Sequence, residues 1–520
     1  MNALKGRREL VLLLTSVFLI SMYFILRYEA RWGEVDTSAA AMSIREMLDA
    51  GTLVPERAVY PNGYGFQSLS VFLVHISDLL VTNLQLFGSS ILALWIVILG
   101  WIAYREMTGS VRAATLATTI ILVQPEFLFA MLRGTHEKFT RGLMLLCLFL
   151  IFRTLSSRKS VRELAAYLIA FYLIIYALIT FNNLLAISFI FALGFSLLGT
   201  LLVSKFFLKN PEIMALTNRR LFYAVCISLI LAFVFTFYAY WPARHDIEVI
   251  SRVSTKVAVL VLDVEPDVDN PYSAITTGWI HPQIYLLLTL ANWTLLLSSV
   301  VIWFVVSIEW FRTASWPRDP KTILLWLSVA AFGFLGVLAI AADITSDVTE
   351  NLQHRIFPSF AMIAAPFVAK WLVERLEFRS ASNRPLTIGL AAVITVFSLL
   401  ALIKGTNEPA ISNKWMFYKA GESVAVGWSQ KFNPNQRTWV SYDERLRETM
   451  LLCCADKING ELLDVYEVGV GTTNFLISTI NNARAIRLGV NPPVSGTSLH
   501  IYDNGEASIL HRRPLTLFQK

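Results

Sequence analysis

The sequence has few cysteines and few charged residues. It carries 4 Cys in 520 residues, and only 16% of its residues are Asp, Glu, Lys or Arg. Two cysteines lie in apolar runs and the other two, Cys453 and Cys454, are adjacent, so neither a disulfide framework nor a zinc-ligand spacing is present. With 55% hydrophobic residues and a mean hydropathy of +0.57, the composition is typical of a polytopic membrane protein and far from that of a soluble globular one.

Common catalytic motifs are also absent. The sequence has no glycine-rich phosphate loop, no nucleophile elbow and no H-E-x-x-H pair, so nucleotide hydrolysis and ordinary protease chemistry find no support. The net charge of +7 could indicate nucleic-acid binding, but the basic residues lie between apolar runs, as orientation signals do. We therefore expect membrane lipids, and no nucleic acid, as partners.

Apolar runs dominate the sequence. About eleven are long enough, or nearly so, to cross the hydrocarbon core of a bilayer, at 10–26, 86–103, 113–130, 136–152, 164–180, 184–204, 221–241, 284–308, 322–342, 356–373 and 386–403. The first run lacks a small-residue cleavage site after it, which predicts a retained helix rather than a signal peptide.

The connections between these runs alternate between rich and poor in Lys and Arg. The alternation holds if residues 66–84 form an interfacial helix on the membrane surface rather than a further crossing. The positive-inside rule then predicts about 11 transmembrane helices, with the N-terminus in the cytoplasm and the C-terminus outside.

The composition changes near residue 404. The predicted transmembrane domain, 1–404, includes a first outer loop at 27–85, with surface helices, and a long outer loop at 242–283. Residues 405–520 have the composition of a soluble domain. Alternating residues at 438–442 predict a strand, 446–458 a helix, and the Asn-Gly pair within 501–510 a hairpin. We expect an α-helical polytopic membrane protein with a small α/β extracytoplasmic C-terminal domain.

Two acids, Glu34 and Asp36, stand one residue apart directly after the first apolar run. A carboxylate at a polar surface above a membrane cavity can act as a general base or hold a divalent cation. A short amphipathic helix is predicted over 38–50, and Asp often caps helices, so Asp36 could instead serve as its N-cap while Glu34 is solvated. The residues alone leave both interpretations open.

The fourth apolar run carries charged residues at its outer end. Its uninterrupted apolar part is too short to span a bilayer, so the helix is expected to begin earlier and to include charged positions. Arg133, Glu137 and Arg141 are spaced at i, i+4 and i+8 and would share one helix face, with Lys138 beside them. Charges at that depth are expensive unless they face a polar cavity or each other, and Glu137 could simply pair with Arg141.

His354 and Arg355 add two cationic side chains at the mouth of the tenth run. Arginine forks match phosphate oxygens, and a helix start adds N–H donors, so these residues with Arg133, Lys138 and Arg141 suit a phosphate or pyrophosphate on a lipid tail. The alternative is that the long side chains reach the lipid headgroups. His136 and Glu137 could hold a metal only with a further acid, because adjacent residues on a helix point about 100° apart.

These features together resemble the GT-C superfamily, integral-membrane glycosyltransferases that use polyprenyl-phosphate-linked sugars. The resemblance is carried by an acid-bearing first outer loop with two surface helices, the step Tyr60-Pro-Asn-Gly-Tyr64, a second acid in the next outer loop and an Arg-bearing last bundle helix. The Ile501-Tyr-Asp-Asn-Gly505 hairpin is similar to the ends of archaeal and bacterial members.

The resemblance implies a role for each acid. Asp36 corresponds to the general base that deprotonates the acceptor, with Glu34 as a helper, and Glu137 to the acid that binds a divalent cation (Mg or Mn) in some members. The segment from Arg133 to Lys138 departs from the pattern, because many members have an aspartate there.

The expected function is sugar transfer from a polyprenyl-phosphate donor to a lipid, glycan or protein acceptor, at the outer face of the plasma membrane. A transporter or flippase of lipid-linked saccharides is the main alternative, and it predicts charges through the mid-membrane and inverted repeats. The charges cluster at the outer side and no repeat is present, which favours a transferase. A scaffold that only anchors the C-terminal domain would need far fewer crossings.

Overall fold

The computed structural model of the chain is mostly helical. It describes residues 2–28, 32–33, 35–53, 63–155, 160–207, 211–234, 248, 251, 282–313, 316–317, 319–345, 352–378, 384–405, 416–417, 419–432, 438–440, 474–478 and 498–512. The long outer loop predicted at 242–283 and the helix predicted at 446–458 lie almost wholly, or wholly, outside these ranges.

Helices form over the apolar runs of the sequence, and all of these runs except 386–403 contribute buried side chains to one continuous apolar core. The first half contains α1 (Asn2–Tyr28), α2 (Val35–Ala50), α3 (Gly65–Ser77), α4 (Val81–Asn83), a π-helical turn (Leu84–Gly88), α5 (Ser89–Thr108), α6 (Val111–Leu122), α7 (Pro125–Leu132), α8 (Glu137–Thr154), α9 (Val161–Phe181), α10 (Asn183–Phe207) and α11 (Pro211–Val234). The second half contains α12 (Pro282–Leu288), α13 (Leu290–Thr313), α14 (Pro320–Thr345), α15 (Leu352–Phe378), α16 (Arg384–Gly405) and α17 (Ala420–Phe432).

Within the described ranges, 6 helices are long and apolar enough to cross a membrane, or up to 7 if a bent pair counts as one span. The six are α5, α9, α10, α13, α14 and α15. The predicted helical fold with several candidate membrane spans is confirmed, and the predicted total of about 11 crossings stays a prediction.

The bent pair is α6 and α7, where the sequence predicts one straight run over 113–130. The two helices meet at 80°. Pro125 has no backbone N–H and disfavours a helical conformation at Gln124, so the first helix ends and a second begins in a new direction.

The Lys- and Arg-rich connections meet at one end of the bundle. Glu106, at the end of α5, forms ion pairs with Arg153 in the last turn of α8 (3.0 Å) and Lys321 at the start of α14 (2.6 Å). Nearby, Lys370 of α15 donates a hydrogen bond to Thr322 at 2.6 Å. Two basic residues at this end, Arg153 and Lys321, are therefore paired with Glu106, in addition to any role as orientation signals.

The first outer loop contains α2 and α3, which pack on each other and on the bundle. Ile44 and Met47 of α2 and Phe66 of α3 share an apolar cluster with Phe139 of α8. The ring of Phe139 lies 5.8 Å from Phe66 and 5.4 Å from Phe181 of α9. The two helices are therefore fixed to the bundle by buried aromatic contacts.

The boundaries of these two helices differ from the sequence-based prediction. The helix predicted over 38–50 begins at Val35, and the interfacial helix predicted over 66–84 ends at Ser77. Asp78 adopts a left-handed conformation (φ 55°), which stops α3 before the short α4 follows.

The C-terminal part contains a four-stranded sheet with α17 packed on it. The strands are β3 (Thr438–Val440), β4 (Asn474–Ser478), β5 (Ser498–Asp503) and β6 (Ala507–Arg512), in the order β3-β4-β6-β5, with β3 parallel to β4 and the other pairs antiparallel. Ala425 and Val426 of α17 pack on Leu476 and Ile509. The predicted hairpin is confirmed, with Gly505 at φ 82° in its turn, a conformation that glycine adopts without strain.

A second, two-stranded sheet joins the first outer loop to the C-terminal part. β1 (Trp32–Gly33) pairs antiparallel with β2 (Met416–Phe417), Trp32 opposite Phe417 and Gly33 opposite Met416. The sequence gives no indication of this pairing, since two-residue strands have no detectable periodicity.

Candidate active site

The start of α2 lies against the connection between α7 and α8. Asp36 is in the first turn of α2, and the next residue, Thr37, is 1% exposed. The backbone N–H of Gly134 donates to the Thr37 hydroxyl at 3.2 Å, and the Gln85 side-chain amide donates to the Thr37 carbonyl at 3.3 Å. The side chain of Asp36 and all of Glu34 fall outside the described part of the chain. The backbone at Asp36 is therefore beside the turn that carries Arg133 and leads into α8.

Gly134 permits this contact. A Cβ atom added there would lie 2.6 Å from Thr37 Cγ2 and 3.2 Å from Gln85 Cβ. Any other residue at this position would push α2 away from the turn, so glycine is required by close approach of the backbone.

The turn after α7 holds a buried ion pair. Arg133 lies in this turn, before α8 begins at Glu137, and its Nη1 is 2.9 Å from Glu137 Oε1. Arg133 and Glu137 are 8% and 15% exposed at their side chains. The predicted common helix face is thus correct for Glu137 and Arg141 but not for Arg133, which reaches Glu137 from outside the helix. The predicted i, i+4 pair with Arg141 is not found among the described ion pairs.

Lys138 and Arg141 of α8 are used within the protein. Lys138 is 1% exposed, and its ammonium donates to the Arg133 carbonyl. Arg141 is also 1% exposed, and its guanidinium donates to the Ser359 hydroxyl and, at 2.8 Å, to the Arg355 carbonyl. Arg141 therefore ties α8 to the first turns of α15.

Arg355 lies in the first turn of α15 and is exposed, unlike the other arginines of the group. Pro358 has no N–H to donate to the His354 carbonyl four residues earlier, and Arg141 donates to the next carbonyl, that of Arg355. Asp343, which is 1% exposed, accepts from the N–H groups of Leu352 (2.8 Å) and Gln353 (2.9 Å) and so caps α15. His354 is part of α15, but its side chain is outside the described set.

The ring of His136 contacts Asn182. Its Nε2 lies 2.9 Å from the Asn182 side-chain amide, at the break between α9 and α10. The Glu137 carboxylate forms an ion pair with Arg133. No group of three or more His, Cys, Asp or Glu among the described residues could hold a metal ion. His136 and Glu137 alone do not form a cation site, and the side chains of Glu34 and Asp36, which could complete one, lie outside the described part of the chain.

The structure brings together residues from three separate parts of the sequence: Thr37, the stretch with Arg133, Glu137 and Arg141, and Arg355. It adds residues that the sequence analysis did not single out: Thr37, Asn182, Asp343 and Ser359. Only Asp343 carried a usable signal, since an acid at the end of an apolar run is rarely without a partner.

No protein-family model matches the sequence, and no curated protein matches it at a significant level. Solved structures do match its fold. The apo crystal structure of the oligosaccharyltransferase from Archaeoglobus fulgidus has a TM-score of 0.54 and 13% identity, over 90% of this chain and 69% of that one. Oligosaccharyltransferase AglB from Archaeoglobus fulgidus, in complex with an inhibitory peptide and a dolichol-phosphate, has a TM-score of 0.52 and 13% identity, over 93% of this chain and 71% of that one.

ArnT from Cupriavidus metallidurans, bound to undecaprenyl phosphate, has a TM-score of 0.48 and 12% identity, over 96% of this chain and 97% of that one. That TM-score is too low to establish a shared fold with ArnT. The archaeal structures show that this chain shares the fold of these oligosaccharyltransferases, and at such low identity they show the fold alone.

Proposed function

We propose that the chain is a membrane glycosyltransferase that moves a sugar from a polyprenyl-phosphate donor to an acceptor, with Asp36 as general base. The observation that carries the proposal is the hydrogen bond between Gly134 and Thr37. It joins the helix turn that contains Asp36 to the turn that contains Arg133 and precedes Glu137. An acid and a cationic group are what transfer from a phosphate-linked donor needs on either side of the reacting carbon.

The proposed reaction forms one bond to the anomeric carbon, breaks one bond to it, and moves one proton. The acceptor oxygen bonds to the anomeric carbon of the donor sugar, and the Asp36 carboxylate takes the proton from that oxygen. The bond between the carbon and the phosphate oxygen breaks, and its electron pair leaves with the polyprenyl phosphate. Glu34 helps to orient the acceptor, which is a lipid, a glycan or a protein.

The departing phosphate gathers negative charge, and Arg355 is the cation best placed to meet it, because it is exposed while its neighbours are buried. Arg141 holds the turn of Arg355, and Arg133 and Lys138 add positive charge behind it. His354 is a further candidate for the donor phosphate. The AglB structure of the same fold contains a dolichol-phosphate, which supports a lipid-phosphate donor for this chain.

We also propose the orientation in the membrane. The chain would cross about 11 times, with residues 1–404 as the membrane domain, the N-terminus in the cytoplasm and residues 405–520 outside the plasma membrane. Two observations support this arrangement. The connections rich in Lys and Arg meet at the end of the bundle where Glu106 lies. Thr37, Gly134 and Arg355 belong to the connections poor in Lys and Arg, and hydrogen bonds join those connections to one another or to α8.

The proposal is tested with purified protein in liposomes that contain radiolabelled polyprenyl-phosphate sugars and a mixture of lipid, glycan and peptide acceptors. We expect release of polyprenyl phosphate together with a labelled acceptor, and no release with Asp36→Asn. Donor that crosses the bilayer with its sugar–phosphate bond intact would instead identify a transporter. Donor that is neither consumed nor moved would reject both functions.

A further inference from the structure

The segment that contains Glu34 and Asp36 is held at both ends. On its N-terminal side, Gly33 is paired with Met416 in the β1–β2 sheet. On its C-terminal side, Thr37 is bonded to Gly134 and Gln85. Only three residues separate Gly33 from Thr37, so the two contacts are joined by a very short stretch of chain.

α17 begins three residues after β2 and is the next described helix along the chain. The first turn of α17 is hydrogen-bonded to the turn of the β5–β6 hairpin. The N–H of Gly421 donates to Glu506 Oε2 at 2.8 Å, and the Asn504 side-chain amide donates to the Gly421 carbonyl at 2.7 Å. A Cβ atom on Gly421 would lie 2.5 Å from Glu506 Oε2, which indicates how closely the two parts approach.

The hairpin is itself well fixed. Asn504 Oδ1 accepts from the N–H groups of Glu506 (3.1 Å) and Ala507 (2.9 Å), which closes the turn. Glu422, which is 0% exposed, accepts from the Lys419 N–H at 2.7 Å and so closes the start of α17. The contacts between hairpin and helix are therefore made by two locally rigid parts.

We propose that the C-terminal domain positions the Asp36 segment for catalysis through the β1–β2 strand pair, with Asn504 and Glu506 as positioning residues. The inference rests on the proposed function, because it gives the domain a role in placing the general base. A displacement of about 1 Å at a reacting group can cost up to about a hundredfold in rate. A domain that holds this segment in position is therefore expected to change kcat more than the KM for the donor.

The first experiment measures the strand pair directly. Gly33→Cys and Met416→Cys are combined, and the yield of the disulfide under mild oxidation is read from the linked fragments after proteolysis, since opposed residues in antiparallel strands lie near disulfide distance. We expect a high yield in the otherwise wild-type chain. Glu506→Ala or Asn504→Asp should lower it, because each removes one bond to Gly421 while Asn504→Asp keeps the acceptor that closes the turn.

The second experiment measures transfer. Glu506→Ala and Asn504→Asp should lower kcat by about tenfold to a hundredfold with little change in the donor KM. Glu506→Gln should keep the wild-type kcat, because its amide oxygen still accepts from Gly421. Asp503→Asn is the matched control, since Asp503 lies in the same turn and accepts only from Gly505 among the hydrogen bonds of the turn. Oxidation of the cysteine pair should restore kcat in Glu506→Ala.

Wild-type cross-linking and kcat in both Glu506→Ala and Asn504→Asp would overturn the proposal, as would a lowered kcat that the disulfide does not restore. Failure of the proposed function has a different signature, because the wild-type protein would then transfer no sugar or Asp36→Asn would stay active. In that case the cross-linking yields still decide whether the hairpin fixes the strand pair.

Discussion

The backbone N–H of Gly134 donates a hydrogen bond of 3.2 Å to the hydroxyl of Thr37, a residue 97 positions earlier in the chain. This bond brings the first outer loop onto the turn before α8. Because Asp36 precedes Thr37 directly, the contact places the backbone of the proposed general base beside the turn that carries Arg133. Its geometry is tight enough to be tested by single-atom changes.

Gly134→Ala should lower both stability and transfer. The added methyl group would overlap with Thr37 Cγ2 at 2.6 Å, and relief of such overlap costs about 1–3 kcal/mol. The check is the melting temperature in detergent together with the transfer rate. Adding Thr37→Ser should restore part of both, because it removes the methyl group but keeps the hydroxyl. Equal activity of Gly134→Ala and wild type would show that the contact does not matter.

Arg141→Lys should weaken donor binding and lower the melting temperature. One ammonium group cannot reach both Ser359 and the Arg355 carbonyl, so at least one hydrogen bond to a charged group is lost, about 1.5–3 kcal/mol. Ser359→Ala is the graded control, since it removes one acceptor and leaves the other, and should have a smaller effect. An unchanged melting temperature in Arg141→Lys would argue against a tie between α8 and α15.

Arg355→Gln should reduce affinity for the lipid-phosphate donor by about tenfold to a hundredfold, because a charge-assisted bond to phosphate is lost. Binding of a fluorescent polyprenyl phosphate, at low and high salt, measures the effect. The matched control is Arg375→Gln at the other end of α15, where the arginine is exposed and 3.4 Å from Glu309. Donor affinity that falls equally in the two variants would point to a general charge effect.

Glu137→Gln should leave any divalent-cation dependence of transfer unchanged. The carboxylate of Glu137 is paired with Arg133, and the neighbouring His136 ring is bonded to Asn182, so neither is free to serve as a ligand. Titration of Mg and Mn after chelation, in wild type and variant, provides the measurement. A cation requirement that disappears or weakens with Glu137→Gln would assign the metal to this acid after all.

The parts of this fold that the sequence predicted are those governed by local rules. The apolar runs predict the helices, and Asn504-Gly505 predicts the hairpin turn because few other residues tolerate its conformation. The break at Pro125 carried a local signal too, since proline interrupts a helix in a known way, but the apolar run around it suggested continuity. The early start of α2 at Val35 is a boundary error of a few residues.

The parts that could not be predicted depend on distant residues. The β1–β2 pair joins two strands of two residues each from opposite ends of the chain, too short for any pattern to register. Glu137 pairs with Arg133 and not with Arg141 among the described ion pairs. The Arg141 guanidinium donates instead to Ser359 and to the Arg355 carbonyl. Pairings of this kind follow from tertiary packing and not from spacing.

The central claim, that Asp36 is the general base, is tested most directly by Asp36→Asn. Donor binding and sugar transfer are measured on the same preparation, with Asp49→Asn as the control because Asp49 is an exposed acid near the other end of α2. We predict wild-type donor affinity in both variants and, in Asp36→Asn alone, a loss of transfer of about a hundredfold or more. Transfer at the wild-type rate in Asp36→Asn would contradict the claim.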